Sequence, residues 1–301
     1  MADSSRSYTT TLLTGLSRLP LGVVRWLGRQ VGGNAARLDR RTKEAILVNL
    51  SICFPYYTEQ QKRAILRKRL ELIGQTAAEM SHFWTKDSAT LLSRCVDGPG
   101  AAEFKQALLA EEHGVLAIAP HMGNWESLNN YICSVRPMTV MYRPQKNEAL
   151  DAFILKARER SGAELAPTNR RGVMQLMKTL NTGGVVGILP DQVPQKGSGE
   201  YAPFFGRPAY TMTLASQLAN KTKAKAFIVA GIQTPTGFEM VAYPVDADFY
   251  SDDIKTSLTA LNRGIEQLVL THPEQYQWEY KRFKTPPEGL KNPYNEYRGK
   301  E

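Results

Sequence analysis

The stretch Val115-Leu116-Ala117-Ile118-Ala119-Pro120-His121-Met122-Gly123-Asn124-Trp125-Glu126 decides how this chain is read. An apolar run ends at a proline, a histidine follows at once, and a more polar segment begins. That succession spells a buried strand, a loop and the start of a helix. Gly123 allows a tight turn, and Asn124 suits the N-cap of the helix. Glu126 then falls in the first helical turn, where the helix dipole favours a carboxylate. A carboxylate on one nitrogen of the His121 ring would fix its tautomer and leave the other nitrogen free to take a proton. By spacing alone, His-x-x-x-x-Glu fits a capping glutamate and a core histidine as well as it fits catalysis.

Working outward, two further apolar runs end in polar exits. Residues 139–142 lead to Arg143-Pro144, and residues 185–189 lead to Pro190-Asp191-Gln192. Helices are expected over residues 104–112, 148–161, 172–180, 213–220 and 257–271. Residues 226–233 and 238–243 read as a pair of strands, and 277–283 as a closing strand or extended segment. Strands alternating with helices indicate an α/β layer fold, whose usual binding site is the crevice beyond the carboxyl ends of the strands.

Charge separates the N-terminus from the rest. The 301 residues, 42% hydrophobic, suffice for a sizeable core and carry a net charge of +9. Residues 1–70 hold 13 Lys and Arg against 4 Asp and Glu, which accounts for the whole excess; the remainder holds 25 of each. Residues 12–31 are apolar, but Gly15, Arg18, Pro20, Gly22, Arg25 and Arg29 interrupt them, so they fail as a membrane span. No small-residue cleavage site of the secretory kind follows. Leu12, Leu13, Leu16, Leu19, Val23, Trp26 and Leu27 can form one face with arginines at its rim, as in a helix lying in a membrane surface. The alternative is a helix packed on the main domain. Thr58 and Gln61 resemble a capping box opening a helix that carries Lys62, Arg63, Arg67, Lys68 and Arg69. No aromatic stacking set accompanies these, so anionic lipid headgroups suit them better than nucleic acid. Residues 1–35 are expected to form an N-terminal membrane-association helix and 36–301 a single α/β domain.

The chemistry on offer is narrow. Cys53, Cys95 and Cys133 stand far apart in apolar contexts, as buried free thiols do. No Cys or His pair has the spacing of metal ligands, and no glycine-rich phosphate loop or Gly-x-Ser-x-Gly elbow is present. A base without a protein nucleophile suits direct attack by a hydroxyl of the substrate.

Taken together, the blocks resemble the lipid A biosynthesis acyltransferases of the lysophospholipid acyltransferase superfamily. Ala119-Pro120-His121-Met122-Gly123-Asn124-Trp125-Glu126 is similar to the first block. Tyr142-Arg143-Pro144, Ile188-Leu189-Pro190-Asp191-Gln192 and Phe204-Phe205-Gly206-Arg207-Pro208-Ala209 are similar to the next three. Asn49-Leu50 with Cys53-Phe54-Pro55, and the segment from Pro273 to Lys284, resemble the terminal signatures. Many members carry a cleaner N-terminal transmembrane segment than this chain does. The resemblance implies a mostly parallel mixed sheet flanked by helices, like glycerol-3-phosphate acyltransferase, with amphipathic membrane-associated helices at the N-terminus. It implies an acyl-carrier-protein thioester as donor, a lipid A precursor as acceptor, no cofactor, and a peripheral or monotopic place on the cytoplasmic side of the inner membrane. His121 would be the base with Glu126 orienting it, and backbone N–H groups near Gly123 and Asn124 would receive the oxyanion. Arg143 and Arg158 would meet phosphate or oxyanion, with Arg170, Arg171 and Lys196 as lesser phosphate candidates. Asp191 and Gln192 would fix an arginine or bind the acceptor, and Phe205 and Gly206 would shape the acyl channel or the acceptor's way in. Another lysolipid or glycolipid as acceptor, and a non-catalytic membrane-binding protein, are the alternatives.

Overall fold

Val115–Ile118 is buried at every position, as a continuous apolar run in the middle of a parallel sheet must be. Around it the computed structural model describes residues 8–35, 39–110 and 112–296. In chain order the helices and strands are α1 (Tyr8–Leu16), α2 (Leu21–Ala35), α3 (Arg40–Cys53), α4 (Glu59–Phe83), α5 (Ser88–Leu92), β1 (Cys95–Asp97), α6 (Ala101–Leu109), β2 (Val115–Ile118), α7 (Trp125–Val135) and β3 (Met138–Tyr142). There follow α8 (Glu148–Ser161), β4 (Ala163–Pro167), α9 (Arg170–Asn181), β5 (Val185–Ile188), β6 (Gly199–Phe204), β7 (Arg207–Met212), α10 (Leu214–Thr222), β8 (Lys225–Gln233), β9 (Phe238–Pro244) and α11 (Ile254–Thr271).

Seven strands make one sheet in the order β1-β9-β8-β2-β5-β3-β4. All neighbours in it are parallel except β8 and β9, which run antiparallel as the paired set anticipated from the sequence. The expected mixed, mostly parallel sheet flanked by helices is therefore the fold. Alternate residues of β2 point into two cores. Leu116 and Ile118 join Val186, Leu176, Leu218 and Leu261 on the face covered by α9, α10 and α11. Val115 and Ala117 join Phe104, Leu128, Ile132 and Met138 on the face covered by α6 and α7.

The sequence reading misses three features for identifiable reasons. β4 is a short edge strand interrupted by Glu164 and closed by Pro167. The hairpin β6–β7 carries Pro203 and Pro208, residues that argue against a strand unless the hairpin lies outside the main sheet, as it does. Residues 277–283 form turns rather than a closing strand, and the preceding Tyr276 makes an isolated bridge to Met122. The helix expected over 104–112 is α6, begun earlier at Ala101, and residue 111 lies outside the described residues.

The N-terminal segment packs on the domain. Pro20 separates α1 from α2, and α2 lies along α4 with backbones almost in contact: a Cβ on Gly28 would stand 2.5 Å from the Gly74 carbonyl oxygen. Val24 and Arg25 are buried against the body. Arg25 thus corrects the expectation of a rim of arginines, and Leu13 too faces inward. Tyr8, Leu12, Leu19, Val23, Trp26 and Val31 remain exposed. No described helix is long and apolar enough to cross a membrane. The Thr58–Gln61 capping box is present at the start of α4. On that helix Lys62 and Arg69 are buried, paired with Glu59 and Glu279, so the exposed basic set shrinks to Arg63, Arg67 and Lys68. Residues 1–7, Arg37 and the boundary expected between 35 and 36 lie outside the described residues or border them.

Candidate active site

β2, β5 and β3 are consecutive in the sheet and parallel, so their three polar exits meet at one edge. The turn after β2 is tightly held. Gly123 has φ +59°, and a Cβ there would sit 2.1 Å from the Gly231 carbonyl oxygen, so only glycine fits. Asn124 is the N-cap of α7: its side-chain oxygen accepts from the N–H groups of Glu126 and Ser127 at 3.0 and 3.1 Å. His121 therefore lies in the loop and Glu126 in the first turn, as the spacing requires.

The partner of the imidazole is not the expected one. His121 Nδ1 lies 2.8 Å from Asp191 Oδ1, and the His121 backbone N–H donates to Asp191 Oδ2 at 2.9 Å. Burial alone would raise the Asp191 pKa. The electrostatic pull of His121, the two hydrogen bonds from its ring and backbone N–H, and the Arg282 guanidinium outweigh that and hold the carboxyl below its ordinary value. An ionised Asp191 only accepts, so Nδ1 carries the proton and Nε2 keeps its lone pair. Gln192 Nε2 donates to that lone pair at 3.2 Å and to Gln277 Oε1 at 3.0 Å.

Glu126, expected on the imidazole, is instead buried in an ion pair with Arg158, whose Nη2 donates to Glu126 Oε1 at 3.0 Å. The Arg158 guanidinium lies over the Tyr142 ring, 5.2 Å from its centre, and its Nε is buried with no hydrogen-bond partner. Arg158 is thus an arginine held by Glu126 whose buried Nε–H is free to donate.

A cavity of about 590 Å³ opens between the sheet and the helices α7 and α8, within the usual range for small-ligand sites. Ala117, Leu128, Ile132, Met138, Gly187 and Leu189 form much of its wall. His121, Glu126, Arg143, Arg158 and Gln192 line it as well, and Arg143 is exposed to solvent. Asp191 stands behind His121 and does not line the cavity.

Other expected residues lie elsewhere. The N–H groups of Gly123 and Asn124, expected to receive an oxyanion, already donate to the carbonyls of Gln275 and Gly231 at 3.0 and 2.8 Å. Phe205 and Gly206 form the two-residue turn of the β6–β7 hairpin with φ +49° and +74°, and Phe205 packs on Phe54. They line a separate shallow depression with Ser51 and Arg207, apart from the cavity beside His121. Arg170, Arg171 and Lys196 are exposed and outside the cavity. Sequence reasoning missed Trp84, Trp125 and Gln277. Of these, Trp125 and Gln277 carried a signal, their places in the first block and in the C-terminal signature.

The sequence profile described as "Bacterial lipid A biosynthesis acyltransferase" matches residues 6–285. The chain is 28% identical over 282 residues to the lipid A biosynthesis lauroyltransferase of Escherichia coli (strain K12), covering 92% of this chain and 90% of that protein. It is 25% identical over 283 residues to the palmitoleoyltransferase of the same organism, with the same coverage. It is 27% identical over 268 residues to a lipid A biosynthesis acyltransferase of Haemophilus influenzae, covering 87% and 81%. A profile that spans nearly the whole chain, over a fold that brings the three strand-exit blocks together at one cavity, places this chain in the bacterial lipid A biosynthesis acyltransferase family.

Proposed function

We propose that this protein transfers a fatty acyl group from an acyl-carrier-protein thioester to a hydroxyl of a lipid A precursor, at the cytoplasmic face of the inner membrane. The observation that carries this reading is the apolar cavity with His121 in its wall, the Nε2 lone pair of that ring met by the side-chain amide of Gln192. Family membership and the acyl-transfer names of the relatives support it.

The acyl chain lies in the cavity with its thioester carbonyl beside His121. The acceptor hydroxyl displaces the Gln192 amide from Nε2. As the oxygen attacks the carbonyl carbon, its proton passes to Nε2, and Asp191 stabilises the imidazolium so formed. Arg158, half-buried and held by Glu126, supplies the donor for the tetrahedral oxyanion. Collapse expels the carrier thiolate, which takes the proton back from Nε2. Arg143, exposed at the cavity, meets the acceptor's phosphate or the acidic carrier. The protein's own thiols are poor nucleophiles: burial pushes Cys95 and Cys133 to about 11 and Cys53 well above its ordinary value. No cofactor enters the scheme; the acyl carrier protein is a co-substrate.

The test is mass spectrometry of the product from a defined lipid A precursor and a mixture of acyl-carrier-protein thioesters. Acyl transfer by the wild type, lost in His121→Ala, is expected. Transfer only to lysophospholipids, or none to any lipid, would overturn the reading.

A further inference from the structure

Behind the turn that carries His121 lies a second carboxylate that the mechanism does not use. Glu79, on α4, is completely buried and accepts four hydrogen bonds. Arg25 Nε and Gln75 Nε2 donate to its Oε1 at 2.7 and 3.0 Å. Asn124 Nδ2 and Gln233 Nε2 donate to its Oε2, both at 2.7 Å. Asn124 is the N-cap of α7, so one of its two side-chain atoms holds the first turn of the helix bearing Glu126 while the other is held by Glu79. Arg25, from α2, is in turn committed to the domain. Its Nη1 and Nη2 donate to the carbonyls of Thr234 and Gly237 at 2.8 and 2.9 Å, and it lies over the Phe238 ring.

Two buried charges in a chain that could have closed this gap with apolar side chains call for a reason beyond stability, because a buried ion pair seldom out-stabilises a well-packed apolar substitute. What the pair does gain is direction. A carboxylate with all four acceptor positions filled fixes the side chain of Asn124, hence the first turn of α7 and the placing of Glu126 and Arg158.

Resting on the acyl-transfer reading, we propose that Glu79 is a positioning residue for the His121–Glu126 turn and that α2, through Arg25, is a working part of the active-site scaffold. The N-terminal helix then does more than hold the enzyme to a surface: its docking sets the geometry of the site.

The experiment measures turnover per folded protein on full-length variants, in detergent so that membrane binding plays no part. Glu79→Gln places an amide donor opposite Asn124 Nδ2 and Gln233 Nε2. The expected result is a fall in kcat of about 10- to 100-fold, the scale of a small misplacement of catalytic groups, with KM for the acyl donor unchanged. The exchange Glu79→Gln with Asn124→Asp restores a donor–acceptor pair between the two positions and keeps one carboxylate among the same donors. It should recover most of kcat, whereas Asn124→Asp alone, two facing carboxylates, should not. A purely structural role lowers the melting temperature without this pattern of loss and rescue. Arg25→Lys, which keeps the charge but loses the guanidinium fork, should show the same fall in kcat at unchanged KM.

Wild-type kcat in folded Glu79→Gln, or no recovery in the double exchange, overturns the role of Glu79. If Glu79→Gln does not fold, Glu79→Asp, which keeps the charge but draws the carboxylate back from Asn124, decides by the same fall in kcat at unchanged KM, and wild-type kcat in it overturns the role. Wild-type kcat in Arg25→Lys overturns the part given to α2. If the wild type itself transfers no acyl group, the acyl-transfer reading fails; if it does and the variants match it, only the positioning role fails.

Discussion

At the residue scale the site turns on His121 and on which carboxylate it meets. Asp191 holds both the ring Nδ1 and the backbone N–H of His121, so it fixes the ring's tautomer and its position at once. Asp191→Asn should lower kcat by about 10²- to 10⁴-fold, the range of a misdirected general base, with little change in KM for the donor. The same residue shapes the acid limb of stability. Its pKa is depressed in the folded state, so its contribution is present above the unfolded value of about 4 and is lost as pH falls through that value towards the folded one. Melting temperatures followed from neutral pH into this range should fall more steeply for the wild type than for Asp191→Asn. The His-x-x-x-x-Glu spacing was legible in the sequence, and so were the loop and helix places of its two residues. The Glu126–Arg158 and His121–Asp191 pairings were not, because they join residues brought together only by the order of β2, β5 and β3. A one-dimensional spacing favours the carboxylate nearest in the chain.

At the scale of elements, the wall of the cavity is set by strand register. Ala117, Gly187 and Val140 lie side by side across β2, β5 and β3, and Met138 lies a step further from the polar exits. A Cβ on Gly187 would stand 2.8 Å from Met138 Sδ and 2.9 Å from Val140 Cγ1, so a larger side chain there consumes cavity space. Gly187→Val should move the preference towards shorter acyl chains by about 10-fold or more in kcat/KM, the discrimination that a methylene or two supports. Competition between donors of different length measures it, and an unchanged profile places the end of the chain elsewhere. The contact of α2 with α4 is a second glycine-dependent feature. Gly28→Val should cost about 1–3 kcal/mol, as overpacking at a close approach does, read as a lower melting temperature and faster proteolysis of α2. The alternating strands and helices of the main sheet were visible as apolar runs with punctuated ends. The β6–β7 hairpin was hidden by its prolines, and β4 by an edge position that needs no apolar run.

At the scale of the whole molecule, the N-terminal segment serves two surfaces that the sequence presented as one. Its inner side carries Val24 and Arg25 into the domain, and its outer side leaves Leu12, Leu19, Val23 and Trp26 exposed. The composition showed an apolar, basic segment; it did not reveal that Arg25 turns inward, because that depends on Glu79 waiting on α4. α1 rests on α4 and on α8, a helix that walls the cavity. Arg63, Arg67 and Lys68 add exposed positive charge on α4, Lys68 in a loose 3.6 Å pair with Glu71. Apolar residues that enter the headgroup region and cations that meet anionic lipids contribute separately to surface binding, the latter by about 1 kcal/mol per residue at low salt. The two contributions should therefore separate in vesicle sedimentation. Reversing Arg63, Arg67 and Lys68 to glutamate should weaken binding to anionic vesicles by about 10-fold or more and abolish its salt dependence, while binding to zwitterionic vesicles is unchanged. Val23→Glu with Trp26→Glu should weaken binding to both. Equal binding by all three proteins would mean that this face does not meet the membrane, and that α2 acts on the site through Arg25 alone.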